Sequence, residues 1–194
     1  MYEYLKGKFA GISATQLIVD CNGVGYDVNI SLYTFSKLKD LTEGKVYIHL
    51  SVKEDAHVLY GFADDDERKM FRQLITVSGI GTNTARVILS SMNPAELQQT
   101  ILNGNAPVLQ KIKGIGNKTA QRIIIDLRDK VGKETISDVT FISTPGNTIK
   151  NEALSALLVL GFARPNAEKA LDGILKRGGE PKVEQLIKEA LAVL

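Results

Sequence analysis

Over its first 63 residues the chain alternates between apolar and polar positions. Val24, Tyr26, Val28 and Ile30 fall on every second residue, and so do Val46, Ile48, Leu50 and Val52. A period of two places alternate side chains on one face of an extended strand, so both runs predict half-buried β-strands. Residues 15–20 and 58–62 predict two more, and the segment before Ile12 a fifth. Asn22-Gly23 and Glu43-Gly44 supply turns where positive φ costs little. Five short strands in about 60 residues predict a small barrel rather than a sandwich.

At Asp64 the period changes. Met70, Leu74 and Val77, flanked by Phe71 and Ile75, recur at helical spacing. Further helices are predicted after Asn83, after Asn93-Pro94 and after Ala106-Pro107, where a proline in the first turn loses no helical hydrogen bond. A longer helix is predicted over 118–131, with Ala120, Ile123, Ile124, Leu127 and Val131 on one face. Residues 134–149 lack a sustained period and hold Ser137, Thr140, Ser143, Thr144, Pro145 and Gly146, the composition of a flexible linker. Three short helices follow, over about 150–160, 165–177 and 182–193, the first two ended by Gly161 and by Gly178-Gly179. The expected fold is therefore α+β and multidomain. It comprises a barrel over 1–63, an all-helical domain over 64–133, a linker over 134–149 and a three-helix module over 150–194.

Composition narrows the class. A hydrophobic fraction of 44% and a charged fraction of 24% are ordinary for a globular chain of 194 residues. No apolar run approaches the roughly 18 residues that span a bilayer, and Met1–Lys6 has no signal-peptide core. Cys21 is the only cysteine, which excludes an intramolecular disulfide and suits a reducing cytoplasm. The net charge of +2 is unevenly spread: residues 64–133 hold 11 basic and 7 acidic side chains, whereas residues 1–63 hold 6 and 7. The positive excess thus lies in the helical middle, which points to a polyanion as partner.

That middle contains a duplication at an offset of 35 residues. The run from Val77 to Ala85, containing Gly79-Ile80-Gly81-Thr82-Asn83, aligns with the run from Ile112 to Ala120, containing Gly114-Ile115-Gly116-Asn117-Lys118. Each copy sets Gly-Ile-Gly between one amphipathic helix and the start of the next. Two glycines let the backbone turn sharply and bring its amides close to a ligand. The central isoleucine can plug the turn between the helices. The free N–H groups of the following helix then point outward with the positive end of its dipole, which is an anion site. Such a site grips phosphate and cannot read bases. The second copy is not a nucleotide-binding P-loop, because Gly116-Asn117-Lys118-Thr119 breaks the Gly-Lys-Ser/Thr string and a helix precedes it.

Other polar residues have plainer readings. Glu54-Asp55 alone is a solvated loop pair. His49 and His57 are strand histidines without further ligands at metal spacing. Asp64-Asp65-Asp66-Glu67 could hold a divalent ion, but as a helix start it is favoured by the dipole. No nucleophile–base set suggests itself.

With strands first, doubled hairpins next and a tethered tail, the whole chain resembles the RuvA family of Holliday-junction-binding proteins. Beyond the hairpins, the resemblance rests on Lys53-Glu54-Asp55-Ala56 and Leu59-Tyr60-Gly61-Phe62. It implies that the barrel is a five-stranded OB-fold and that Glu54 and Asp55 form an acidic pin at the junction centre. It further implies that Gly79, Ile80, Gly81, Thr82, Asn83, Gly114, Ile115, Gly116, Asn117 and Lys118 bind duplex arms without a cofactor or metal. A homotetramer, or an octamer on DNA, is implied, with a four-way DNA junction as ligand. The tail, whose first turn is Leu160-Gly161-Phe162, would recruit a RuvB-type hexameric ATPase for branch migration in recombination, repair and the SOS response. A RuvC-type resolvase is a further implied partner. Family members often carry Pro-Lys where this chain has Thr82-Asn83, and two lysines where it has Asn117-Lys118, so the grip here should lean more on backbone amides. The rival expectation is a helix-hairpin-helix DNA-processing enzyme, a glycosylase or nuclease, which needs a catalytic Lys/Asp pair or a carboxylate–metal cluster beside the hairpins.

Overall fold

The computed structural model describes residues 2–137, 145–175 and 182–194. It forms two compact units, Met1–Thr135 and Ile136–Leu194. No helix among the described residues is long and apolar enough to cross a membrane.

The first unit opens with five strands: β1 (Tyr4–Ser13), β2 (Gln16–Cys21), β3 (Val24–Ile30), β4 (Glu43–Val52) and β5 (His57–Phe62). They close into a barrel in the order β1-β2-β3-β5-β4, with β3 and β5 parallel and the other pairs antiparallel. This is the OB-fold arrangement. Inward residues Leu5, Leu17, Val19, Val28, Ile30, Val46 and Ile48 make its core. Gly61 is a glycine because the barrel leaves no room: a Cβ there would lie 2.5 Å from Val28 Cγ1 and 2.8 Å from Val46 Cγ1.

Two expectations need correction. The segment read as wholly β holds a helix, α1 (Leu32–Leu38), between β3 and β4. Ser31 caps it, its Oγ accepting from the Thr34 amide at 3.0 Å. This seven-residue helix is too short to establish a period, and the Glu67 carboxylate that receives its cap hydroxyl lies 36 residues on. The Glu43-Gly44 turn is also absent, since both residues lie in β4, paired with Lys8 and Gly7 of β1. Gly44 instead makes room for a side chain, as a Cβ there would meet the Phe9 ring at 3.2 Å. Asn22-Gly23 does turn the chain through positive φ, 55° and 90°.

Five helices follow: α2 (Asp65–Leu74), α3 (Thr82–Ser91), α4 (Pro94–Leu102), α5 (Ala106–Gln110) and α6 (Asn117–Ser137). The prolines sit in the first turns of α4 and α5, and Asn93 with Glu96 completes a capping box on α4. Their apolar faces share one core with the outer face of β5, where Tyr60 and Phe62 pack on Phe71 at ring-centroid distances of 5.3 and 4.9 Å. The acidic cluster is a helix start. Asp64 Oδ1 accepts from the Glu67 amide, Asp65 pairs with Arg68, and Glu67 turns inward.

The second unit contains α7 (Pro145–Val159), α8 (Arg164–Leu175) and α9 (Val183–Leu191) around Ala153, Leu157, Ala167, Leu171 and Leu186. Of the linker expected over 134–149, residues 138–144 lie outside the described residues, and α6 and α7 take up the flanks. Gly178-Gly179 also lies outside them. Gly161, at φ 95°, ends α7 in a Schellman turn, with Phe162 N–H donating to Leu157 O and Gly161 N–H to Leu158 O.

Glu67 joins α1 to α2. Its fully buried carboxylate accepts from Ser31 Oγ and from Thr34 Oγ1, the latter at 2.5 Å, while Thr34 Oγ1 accepts from the Ala63 amide at 3.0 Å. Burial pushes its pKa up to about 7 against these hydrogen bonds. The folded carboxyl holds its proton longer than the unfolded one, so stability from this site is full below about pH 4.5 and is lost as pH rises through about 7. The shift corresponds to roughly 3 kcal/mol. Glu67→Gln, which cannot ionise, should therefore gain Tm relative to the parent between about pH 5 and about pH 8. A difference that stays flat in thermal melts over that range would show that the folded chain carries Glu67 as a carboxylate throughout.

Candidate nucleic-acid interface

The two Gly-Ile-Gly turns are built alike, bond for bond. In the first, Val77 N–H donates to Leu74 O, Ile80 N–H to Val77 O and Ala85 N–H to Gly81 O, each at 3.0 Å. In the second, Ile112 N–H donates to Leu109 O, Ile115 N–H to Ile112 O and Ala120 N–H to Gly116 O, at 3.1, 3.0 and 2.9 Å. Ile80 and Ile115 are buried in the helical core, which pins each turn from beneath.

The glycines of each copy divide the work. Gly79 and Gly114 both have φ of 90°, the left-handed region that other residues enter only with strain. Gly81 and Gly116 are outside that region, and a Cβ on either would meet nothing within 4 Å. Nothing inside the protein therefore asks for glycine at these two positions. Their bareness leaves the backbone open on its exposed side. Gly81 is the N-cap of α3 and makes no side-chain cap bond, so the first amides of α3 are not capped by that residue.

Most of the cations near these turns come from α6, with Lys113 from the second turn itself. Lys113 and Lys118 are exposed beside the second turn. Arg122, one helical turn beyond Lys118, reaches the first turn, where its Nη1 donates to Ser78 O at 3.1 Å. Lys130 Nζ donates to Thr76 Oγ1 at 3.2 Å. Sequence reasoning missed Arg122, although its (i, i+4) spacing from Lys118 on one helix face was legible. It also missed Tyr60, whose hydroxyl donates to Thr82 Oγ1 at 2.8 Å, a contact between barrel and hairpin that no local pattern announces.

Glu54 and Asp55 are exposed at the tip of the β4–β5 hairpin, which Lys53 N–H closes on Ala56 O at 2.9 Å. His49 is half-buried against the Phe71 ring, and burial lowers its pKa; His57 is exposed. Among the described residues no group of three or more His, Cys, Asp or Glu could hold a metal ion. In the tail, Leu160 is exposed while Phe162 packs partly into the three-helix core around Gly161.

Comparison with known proteins decides the lineage. Residues 1–61 match the RuvA N-terminal domain family, residues 71–129 the SAM-like helix-hairpin-helix tandem and residues 148–194 the RuvA C-terminal domain. The Holliday junction branch migration complex subunit RuvA of Christiangramia forsetii is 50% identical over 194 residues, all of both chains. Those of Porphyromonas gingivalis and Bacteroides fragilis are 48% and 46% identical over 100% and 98% of each chain. The chain belongs to the RuvA family. With this, the reading as a helix-hairpin-helix glycosylase or nuclease falls away, and the tandem hairpins are the middle part of a RuvA-type fold.

The split between the two glycines is testable. Gly114→Ala should cost about 1–2 kcal/mol of stability through its positive φ. Gly116→Ala should leave stability within about 0.5 kcal/mol of the parent yet weaken duplex binding, because its methyl group stands where the ligand's backbone would approach. Denaturant titration and gel shift on both variants check this; equal stability losses would refute the division.

Proposed function

We propose that this chain is the junction-binding, non-catalytic subunit of a Holliday junction branch migration complex. It holds four-way DNA open and presents it to a RuvB-type ATPase through residues 150–194, in the cytoplasm. The observation that carries the reading is the paired Gly-Ile-Gly turns with matching hydrogen bonds, in a chain of the RuvA family along its full length. Backbone amides and helix dipoles recognise phosphate without regard to sequence, as a protein that must track a moving junction requires. Two such turns in each protomer, repeated in a tetramer, suit four duplex arms. Competition gel shifts with four-way, duplex and single-stranded DNA, with magnesium present, test it. Preference for four-way DNA without strand cleavage or base release is expected, and cleavage would overturn the reading.

In this reading Lys118 makes a phosphate contact. Each such contact contributes a slope of roughly −0.9 to log K against log salt. Lys118→Ala should weaken binding equally for unrelated sequences and flatten the slope by about one unit for each copy in contact. A loss that varies with base sequence would contradict it.

Glu54 and Asp55 serve as a pin. Two carboxylates on a DNA-binding face repel phosphates and cost affinity, so they need a compensating role. At the centre of an opened junction their repulsion keeps the strands apart and disfavours DNA without an opening there. The double variant Glu54→Gln, Asp55→Asn should gain affinity for plain duplex and lose preference for four-way DNA, with its fold unchanged. Dissociation constants for both ligands at one salt concentration decide it: an unaltered ratio returns the pair to a solvated loop.

A further inference from the structure

The side chains just after the first Gly-Ile-Gly turn are uncharged in this chain, and a neighbour's hydroxyl lies beside their acceptor atoms. Tyr60 lies on β5 with its ring against Phe71 and only 5% of its surface exposed, and its hydroxyl ends at the first turn of α3. There it donates to Thr82 Oγ1 at 2.8 Å and lies 3.4 Å from Asn83 Oδ1. A phenol is more acidic than an aliphatic alcohol and is the better donor of the pair, while an amide oxygen can only accept. The phenol has one proton, and the nearer acceptor, Thr82 Oγ1, takes it, which leaves Thr82 its own hydroxyl proton to offer.

The second copy repeats the arrangement with a different donor. Gln110, the last residue of α5, donates through Nε2 to Asn117 Oδ1 at 3.4 Å, leaving the Asn117 NH₂. Asn117 is the residue that aligns with Thr82. A phosphate oxygen only accepts, so an unheld hydroxyl or amide beside it offers a lone pair as readily as a proton. Holding the acceptor from behind removes the wrong orientation before the ligand arrives, which reduces the ordering that binding would otherwise require.

We propose that Tyr60 is a positioning residue of the DNA grip: its hydroxyl orients Thr82, the nearer of its two neighbours, as a donor to a phosphate oxygen. The inference rests on the reading of the hairpins as phosphate-binding turns. Tyr60 touches no DNA itself. Neutral donors release no counterions, so their contribution should appear in affinity and not in salt dependence.

The test is a double-mutant cycle on the full chain, with duplex and four-way DNA as probes. Tyr60→Phe keeps the packed ring and removes the hydroxyl. It should weaken binding roughly 2- to 10-fold, the range of one hydrogen bond, at an unchanged salt slope. In a Thr82→Val, Asn83→Ala background the same change should have no further effect on affinity. A purely structural role would lower Tm and affinity alike in both backgrounds, and that result would overturn the proposal, as would parental affinity in Tyr60→Phe. Should Tyr60→Phe fold poorly, Thr82→Val with Tyr60 intact should show the loss at an unchanged slope; parental affinity there overturns the proposal too. Lys118→Ala separates the two levels. If it weakens binding while Tyr60→Phe and Thr82→Val do not, only the positioning role fails. If neither Lys118→Ala nor Gly116→Ala weakens binding, the phosphate-grip reading fails and the positioning role with it.

Discussion

The first unit depends on one strand serving two cores. Along β5, Leu59 and Gly61 face into the barrel, while Val58, Tyr60 and Phe62 face the helices and join their core. The period of two in an extended chain makes this possible, since successive side chains leave by opposite faces. Phe71 of α2 receives both outward aromatic rings and is fully buried. Full burial of one such ring contributes about 1.5–3 kcal/mol. Because β5 belongs to both cores, the barrel and the helical domain are held in register by covalent continuity as well as by contact. The hairpin turns inherit their placement from that seam.

Polar contacts then lock the same boundary. Arg68, nearly buried, reaches the Glu3 carboxylate and the Glu3 carbonyl, pairs with Asp65 and stacks on Tyr47 at 5.0 Å. Arg86 of α3 donates to Asn29 Oδ1 at 2.9 Å on β3. Tyr33 donates to the helix-capping Asp64 at 2.9 Å, beside the buried Glu67. These contacts connect α2 and α3, the two helices that flank the first Gly-Ile-Gly turn, to four separate segments of the barrel region. A turn that must present backbone amides to a stiff duplex gains from such a mount, since misdirected amides would forfeit the hydrogen bonds that make up the grip.

As a proposed sequence-blind grip, the duplicated turns need little chemistry. One glycine supplies the left-handed backbone, one bare glycine supplies access, and an isoleucine anchors the turn to the core. Charge is at hand as well: α6 carries Lys118 and Arg122, and Arg122 extends to the other turn. Asn83 and Asn117 are neutral where lysine is common in the family, so in the proposed grip donor orientation would carry more of the task, and the hydrogen-bonded neighbours of those side chains would belong to the interface.

Much of this was legible in the chain itself, because it rests on local spacing. Alternation at Val24–Ile30 and Val46–Val52, the helical period from Met70 onward and the 35-residue repeat are short-range patterns, and the backbone obeys them directly. The expectation that the turns bind anions rests on the same kind of pattern, two glycines before a helix start. What the tertiary structure alone decided involves partners distant in sequence. Gly44 looked like a turn residue and proved to be clearance for Phe9 across a strand pair. Helix α1, too short to announce itself, is held by a carboxylate 36 residues beyond its cap. Gly79 and Gly81 look interchangeable in sequence and both have open surroundings, and only their φ values separate them. Tyr60 reads as an ordinary strand aromatic until folding brings its hydroxyl to Thr82. Periodicity states which face a residue takes, but what waits on that face is set by the packing of segments that the local pattern does not connect.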